Sequence, residues 1–109
     1  MTKNIATPRT AEVLHVLANE RRLAVVELVA QGERSVGELE RLVGISQSAL
    51  SQHLARLRQA GLVRTRREGR TVYYALESAE AAEIIDALGG LFRWSEKLRG
   101  GASPAAGRR

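Results

Sequence analysis

The strongest constraint in this sequence lies between Ser46 and Leu76, where a helical period gives way to two alternating runs around a glycine. At about 100° per residue, Leu50, Leu54 and Leu57 fall within about 60° of one another, with Ala49 and Ala60 beside them. Ser48, Ser51, Gln52, Ala55 and Gln59 fall on the opposite side. That outer side is small, polar and uncharged near its N-terminus. A solvated helix face ordinarily carries Glu and Lys pairs there, whereas a helix entering a nucleic-acid groove needs short hydrogen-bonding side chains.

Gly61 ends that helix. Val63 to Arg67 and Thr71 to Leu76 follow as β-rich segments around Glu68-Gly69-Arg70, which reads as a hairpin turn containing glycine. Val72 and Tyr74 alternate with Tyr73, so one side packs inward and the other meets solvent. The same stretch holds Arg56, Arg58, Arg64, Arg66, Arg67 and Arg70 against the single acid Glu68. It therefore carries the whole net charge of +5, and the remaining basic and acidic residues cancel. Charge confined to one helix and one hairpin is the footprint of a nucleic-acid reader, with an ordinary solvated basic face as the alternative.

The flanks read as helices. Residues 1–7 are expected to be flexible. Thr7 and Pro8 offer a cap and a first helical residue for a helix running to about Ala18, with Val13, Leu14 and Leu17 on its apolar side. Asn19 caps a second helix, with Leu23, Val26 and Val29 inward, that stops at Gly32. Ser35-Val36-Gly37-Glu38 is a capping box opening a short third helix, with Val36, Leu39, Leu42 and Val43 inward. Gly44 breaks it, Ile45 plugs the turn and Ser46 caps the next helix. Two short helices joined this way make a helix-turn-helix.

Ser78 caps a long last helix striped with Ala81, Ile84, Ile85, Leu88, Leu91 and Phe92, extended by Trp94 and Leu98. Gly89-Gly90 within it costs roughly 1 kcal/mol per glycine against alanine, tolerable where another backbone approaches closely, as across a dimer interface. Residues 100–109 read as a low-complexity disordered tail. The expected organisation is thus one domain, 8–99, mainly α with a small β-hairpin.

Composition narrows the function classes. The chain of 109 residues has no cysteine, which removes disulfides, thiolate metal sites and thiol switches. No apolar run approaches the ~20 residues of a membrane span, so a soluble cytoplasmic protein with no membrane partner is expected. There is no glycine-rich phosphate loop, no paired carboxylate in an apolar setting and no nucleophile with a positioned base, which argues against an enzyme. No cofactor or metal is expected. His53 sits between the two faces of its helix, and a packed, hydrogen-bonded histidine competes there with a metal ligand. His15 lies on another helix. Two histidines without cysteine make a poor zinc site unless carboxylates from a second subunit complete it. Phe92 and Trp94 read as core or dimer interface rather than a base-stacking platform.

Helix-turn-helix plus an Arg-rich hairpin is a winged helix, and the sequence resembles the ArsR family of bacterial dimeric repressors over nearly all of residues 10 to 98. Leu17-Ala18-Asn19-Glu20-Arg21-Arg22-Leu23 looks like the family's opening motif, with Arg22 at its arginine. Ser46-Gln47-Ser48-Ala49-Leu50-Ser51-Gln52-His53-Leu54 looks like its recognition helix. Leu62-Val63 through Arg67-Glu68-Gly69-Arg70 to Tyr73-Tyr74 looks like its wing. The resemblance implies a homodimer built from the first and last helices that binds double-stranded DNA at an inverted-repeat operator and blocks transcription.

Members that sense metals through the third helix carry a Cys-x-Cys pair, where this chain has Ser35 and Gly37. Members that sense through the last helix use His and Asp at spacings that nothing in 78–97 matches, and sulfur- or redox-sensing members use a cysteine pair. The likeness is therefore to the NolR- or HlyU-like branch, without metal- or thiol-sensing residues.

Ser48, Ser51 and Gln52 align with family positions that touch bases, and the helical wheel independently turns them outward. Glutamine can pair bidentately with adenine, and serine can donate or accept. Gln47 sits at the helix entry, where a phosphate contact is plausible. Arg56, and Arg64, Arg66, Arg67 and Arg70 on the wing, are candidates for phosphate or minor-groove contacts. Arg58 lies nearer the apolar flank, where an internal ion pair is equally open. Two other readings stand beside the DNA-binding regulator: a winged-helix module for protein or RNA, and a metal-responsive repressor with an atypical His/Glu site.

Overall fold

A computed structural model of the chain describes the backbone of residues 8–100 and the side chains of 9–90. The expected flexible segment 1–7 and all of the expected tail except Gly100 lie outside the described residues, as do the side chains of Leu91, Phe92, Trp94 and Leu98. Gly100 belongs to the last helix.

Five helices and three strands follow in the order α1 Pro8–Leu17, α2 Glu20–Ala30, β1 Arg34–Ser35, α3 Val36–Val43, α4 Gln47–Gln59, β2 Val63–Glu68, β3 Thr71–Leu76 and α5 Ala79–Gly100. Short polar side chains start the helices where the sequence predicts them. Asn19 Oδ1 accepts from the Arg21 and Arg22 amides at 2.9 and 3.0 Å. Ser46 Oγ accepts from Ala49 N at 3.2 Å, and Ser78 Oγ from Ala81 N at 3.1 Å. The capping box is complete: Glu38 N donates to Ser35 Oγ at 3.1 Å, and Ser35 N donates to Glu38 Oε1 at 2.8 Å. Each bond satisfies an amide that the helix itself leaves unpaired.

Glycine ends two of these helices for reasons that only glycine meets. Gly44 caps α3 in the left-handed region at φ 75°, with its N–H on Glu40 O. Gly61 follows α4 at φ 76°, and a Cβ there would sit 2.9 Å from a guanidinium nitrogen of Arg9. Arg9 donates to the carbonyl of Ala60, so the start of α1 is fastened to the end of α4.

The sheet has the order β1-β3-β2 and is antiparallel throughout. β2 and β3 form the expected hairpin, with Glu68 opposite Thr71, so Gly69-Arg70 alone make the turn. The third strand, β1, is absent from the sequence reading, because two residues carry no legible alternation. It pairs Arg34 with Tyr74 and Ser35 with Tyr73, and so ties the entry of α3 to the wing.

The core lies where α1–α4 converge on the inner face of β3. Leu50, Leu54 and Leu57 on α4 are buried as predicted, together with Val26, Val29, Leu39 and Tyr74. Leu17 on α1 and Leu39 and Val43 on α3 are buried as expected, and the burial departs from expectation at single positions. Val16 and Val25 are buried, whereas Leu14 and Leu42, expected inward, are 53% and 52% exposed. Leu39 and Leu42 should therefore differ sharply in urea titrations. Leu39→Ala is expected to cost about 2–5 kcal/mol of stability, and Leu42→Ala to stay within about 0.5 kcal/mol of the parent. Equal losses would contradict this core.

Candidate nucleic-acid interface

The outward side of α4 is continuous and uncharged at its start. Gln47, Ser48, Ser51, Gln52 and Ala55 are all exposed, with Arg56 beyond them. The helix is held from behind by its leucines and at its N-terminus by Ser46, so these side chains project from a fixed axis. Gln47 and Ser51 share a cleft with Arg70, Thr71 and Val72, which brings the entry of α4 and the turn end of the wing onto one surface. Arg58 is exposed, and the described ion pairs do not include it.

The register of the wing divides its arginines. Arg67 stands opposite Val72 and Thr65 opposite Tyr74, on the face that Tyr74 turns to the core. Arg64 stands opposite Ala75 and Arg66 opposite Tyr73, on the other face. Arg66 is also occupied. It grips Glu33 through two bonds of 2.7 and 3.0 Å, reaches Glu68 at 3.1 Å and lies over the Tyr73 ring at 4.5 Å. Arg64 donates to the carbonyls of Leu76 and Glu77 at 3.3 and 3.2 Å.

The four wing arginines expected to contact nucleic acid are therefore not equivalent in the structure. Arg64 and Arg66 are bonded within the protein and stand on the opposite face of the sheet from Arg67, and the described ion pairs include neither Arg67 nor Arg70. The partner of Arg66, Glu33, escaped the sequence reading because it lies in the turn before β1 and no local spacing links the two. Arg66 and Glu33 stabilise each other's charges: the guanidinium is pushed up, and the carboxylate is held below its ordinary range.

His53 is packed and hydrogen-bonded. Its Nδ1 lies 3.3 Å from a terminal nitrogen of Arg22. Since guanidinium has no acceptor, the imidazole accepts at that atom and is neutral there. Burial pushes the imidazole below its ordinary value, and the charges of Arg22 and Arg21 push it further. Arg22 is itself fixed, its Nε donating to the carbonyl of Val16. Among the described residues no group of three His, Cys, Asp or Glu stands where it could hold a metal ion.

The capped helix-turn-helix and the antiparallel wing agree with the known proteins that this chain resembles. The model of the bacterial regulatory protein, arsR family, matches residues 19–65. The transcriptional activator HlyU of Vibrio cholerae is 48% identical over 92 residues, covering 84% of this chain and 83% of that protein. The chain belongs to the ArsR family.

Its solved ArsR relatives share the whole winged helix. The HlyU structure superposes with a TM-score of 0.75, covering 84% of this chain and 98% of that one. The homodimeric winged helix-turn-helix DNA-binding domain of a possible ArsR-family regulator from Mycobacterium bovis superposes equally well. Its TM-score is 0.75 at 32% identity, with 83% of each chain covered. The biofilm growth-associated repressor of Xylella fastidiosa (strain Temecula1) is 44% identical over 87 residues, covering 80% of this chain and 76% of that protein. As an ArsR-family member the chain is a transcriptional regulator and not an enzyme.

The imidazole of His53 gives this ArsR domain a pH signature. The folded state holds fewer protons at His53 than the unfolded chain, so its stability is complete above the ordinary imidazole pKa and is lost as pH falls below it. Urea midpoints should drop between about pH 7 and about pH 5.5 in the parent, and His53→Gln should remove part of that drop. A variant as pH-sensitive as the parent would contradict the environment described for His53.

Proposed function

We propose that this ArsR-family chain is a sequence-specific, homodimeric repressor that acts in the cytoplasm on an inverted-repeat operator in double-stranded DNA. The outer face of α4 would lie in the major groove, with Ser48, Ser51 and Gln52 on base edges and Gln47 and Arg56 on the backbone. Arg67 and Arg70 would reach the backbone or the minor groove from the wing. The observation that carries this reading is the shared cleft of Gln47, Ser51 and Arg70, because an uncharged reading face and a wing arginine on one surface suit one duplex. An RNA or protein module would need no small neutral face on α4.

Release from the operator would not run through a thiolate, since the chain has no cysteine. Nor does any described cluster of ligands recommend an atypical metal site. Whether binding represses or relieves another regulator's repression is a property of the promoter. The relatives carry both signs in their names, an activator in Vibrio cholerae and a repressor in Xylella fastidiosa.

Homodimerisation is supported by the apolar groove between α1 and α5. Val13 and Leu14 face Ala81 and Ile84 across it, and Leu14 and Ile84 remain 53% and 39% exposed. A second copy would cover both, in the twofold manner that matches an inverted repeat. Sedimentation at micromolar concentration should give a dimer, and Leu14→Asp should shift it towards monomer. A monomeric parent would refute the assembly.

The two sets of contacts should separate in binding assays on the operator duplex. Gln52→Ala is expected to relax preference at particular base pairs and cost roughly 1–3 kcal/mol at the preferred sequence. Arg67→Ala or Arg70→Ala should weaken all duplexes alike and flatten the slope of log K against log salt by about one. Arg66→Ala should leave that slope unchanged. Intact affinity and preference in Gln52→Ala would remove the proposed reading face.

A further inference from the structure

Beside the reading face lies a second cleft, in which Arg22 and His53 join Gln52 and Arg56. It opens between the first turn of α2 and the flank of α4 and is lined by Arg22, Gln52, His53, Ala55 and Arg56. We propose that this cleft seats one phosphate of the DNA backbone, and that His53 takes up a proton as the phosphate enters. The proposal rests on the DNA-binding reading above and deepens it by naming two further contact residues, Arg22 and His53.

The cleft gathers positive charge without answering it. The described ion pairs are Arg9 with Glu12 and Arg66 with Glu33 and Glu68, and none of them reaches this place. Burial disfavours the charged forms of Arg22 and His53, and neighbouring cations add to it, Arg56 on Arg22 and then Arg22 and Arg21 on His53. Like charges collected in one cleft destabilise the fold unless an anion joins them.

The geometry is built in advance. Arg22 cannot swing freely, because its Nε is bound to the Val16 carbonyl while a terminal nitrogen points at His53. The groups facing His53 are Arg22 and Arg21 from α2, with Arg56 on its own helix and no carboxylate among its interacting groups. In the free protein the neutral imidazole accepts the Arg22 N–H at Nδ1. With a phosphate present, a proton from solvent can occupy that nitrogen. The Arg22 N–H is then released to donate to a phosphate oxygen, and the second cation is offset by the anion. Gln52 lines the same cleft, so a phosphate seated there would fix the register of the base-reading side chain beside it.

The test uses the full chain and a mixed-sequence duplex, titrated calorimetrically near pH 6.5 in two buffers of different ionisation enthalpy. The parent and His15→Gln should take up a fraction of a proton on binding, and His53→Gln should take up none. Affinity of the parent should rise several-fold from about pH 7.5 to about pH 6, against a ceiling of tenfold per pH unit for one proton. His53→Gln should be flat over that range. Glutamine keeps an acceptor for Arg22, and the circular dichroism spectrum of the variant should match that of the parent.

Arg56→Gln should flatten the salt slope by about one. Inorganic phosphate, at the same phosphate concentration as the duplex, should not reproduce the proton uptake. If it does, a free anion rather than the DNA backbone fills the cleft, and the assignment fails. Duplex binding with unchanged proton uptake in His53→Gln overturns this proposal while leaving the DNA reading standing. Failure to bind any duplex overturns both.

Discussion

The fold depends on arginines that close the ends of helices. The last carbonyls of an α-helix have no partner within it and carry the negative end of its dipole. In this chain each of the first four helices has that end met by a guanidinium from a neighbouring element. Arg22 of α2 donates to Val16 at the end of α1, and Arg34 of β1 to Leu28 near the end of α2. Arg21 of α2 donates to Val43 at the end of α3, and Arg9 of α1 to Ala60 at the end of α4. A charge at a partly buried helix end contributes about 0.3–2 kcal/mol. The same bonds also set where one helix stops relative to the next, and hence where α4 points.

This division of labour changes what the basic charge means. The arginine excess between Ser46 and Leu76 looks like one surface when counted along the chain. In three dimensions Arg66 is spent on Glu33 and Glu68, and Arg64 on the carbonyls that end β3. The Arg66–Glu33 pair and β1 tie the wing to the body of the domain, while the bonds of Arg64 stay within the hairpin and its exit. In the proposed interface a polyanion would meet Arg22 and Arg56 beside α4 and Arg67 and Arg70 on the wing, around an uncharged helix face. A wing held rigidly from behind presents its free arginines at a fixed spacing from that face, which is how backbone contacts set the register for base contacts.

Local chemistry was legible in the sequence and distant chemistry was not. Asn19, Ser35, Ser46 and Ser78 announce helix starts because a cap is decided within three residues, and Gly61 and Gly69 announce a stop and a turn in the same way. The inward leucines of α4 were legible because three of them recur at one period. In α1 and α3 the exposure of Leu14 and Leu42 in the single chain was not legible. Each helix is short and carries more apolar residues than one face can bury, so periodicity alone does not choose between Leu14 and Val16. The two-residue strand β1, the pairing of Arg66 with Glu33 and the helix-end arginines depend on elements far apart in the chain, and no spacing rule records them.

In the proposed interface the arginines divide into one set that holds the domain together and one that is free to meet a duplex, with Arg22 alone serving both. The most direct measurement follows the side-chain Nε–H signals of the arginines by NMR as operator DNA is added. On this account the signals of Arg56, Arg67 and Arg70 move, while those of Arg9, Arg34, Arg64 and Arg66 stay in place. Movement of Arg64 and Arg66 as large as that of Arg67 and Arg70 would contradict it.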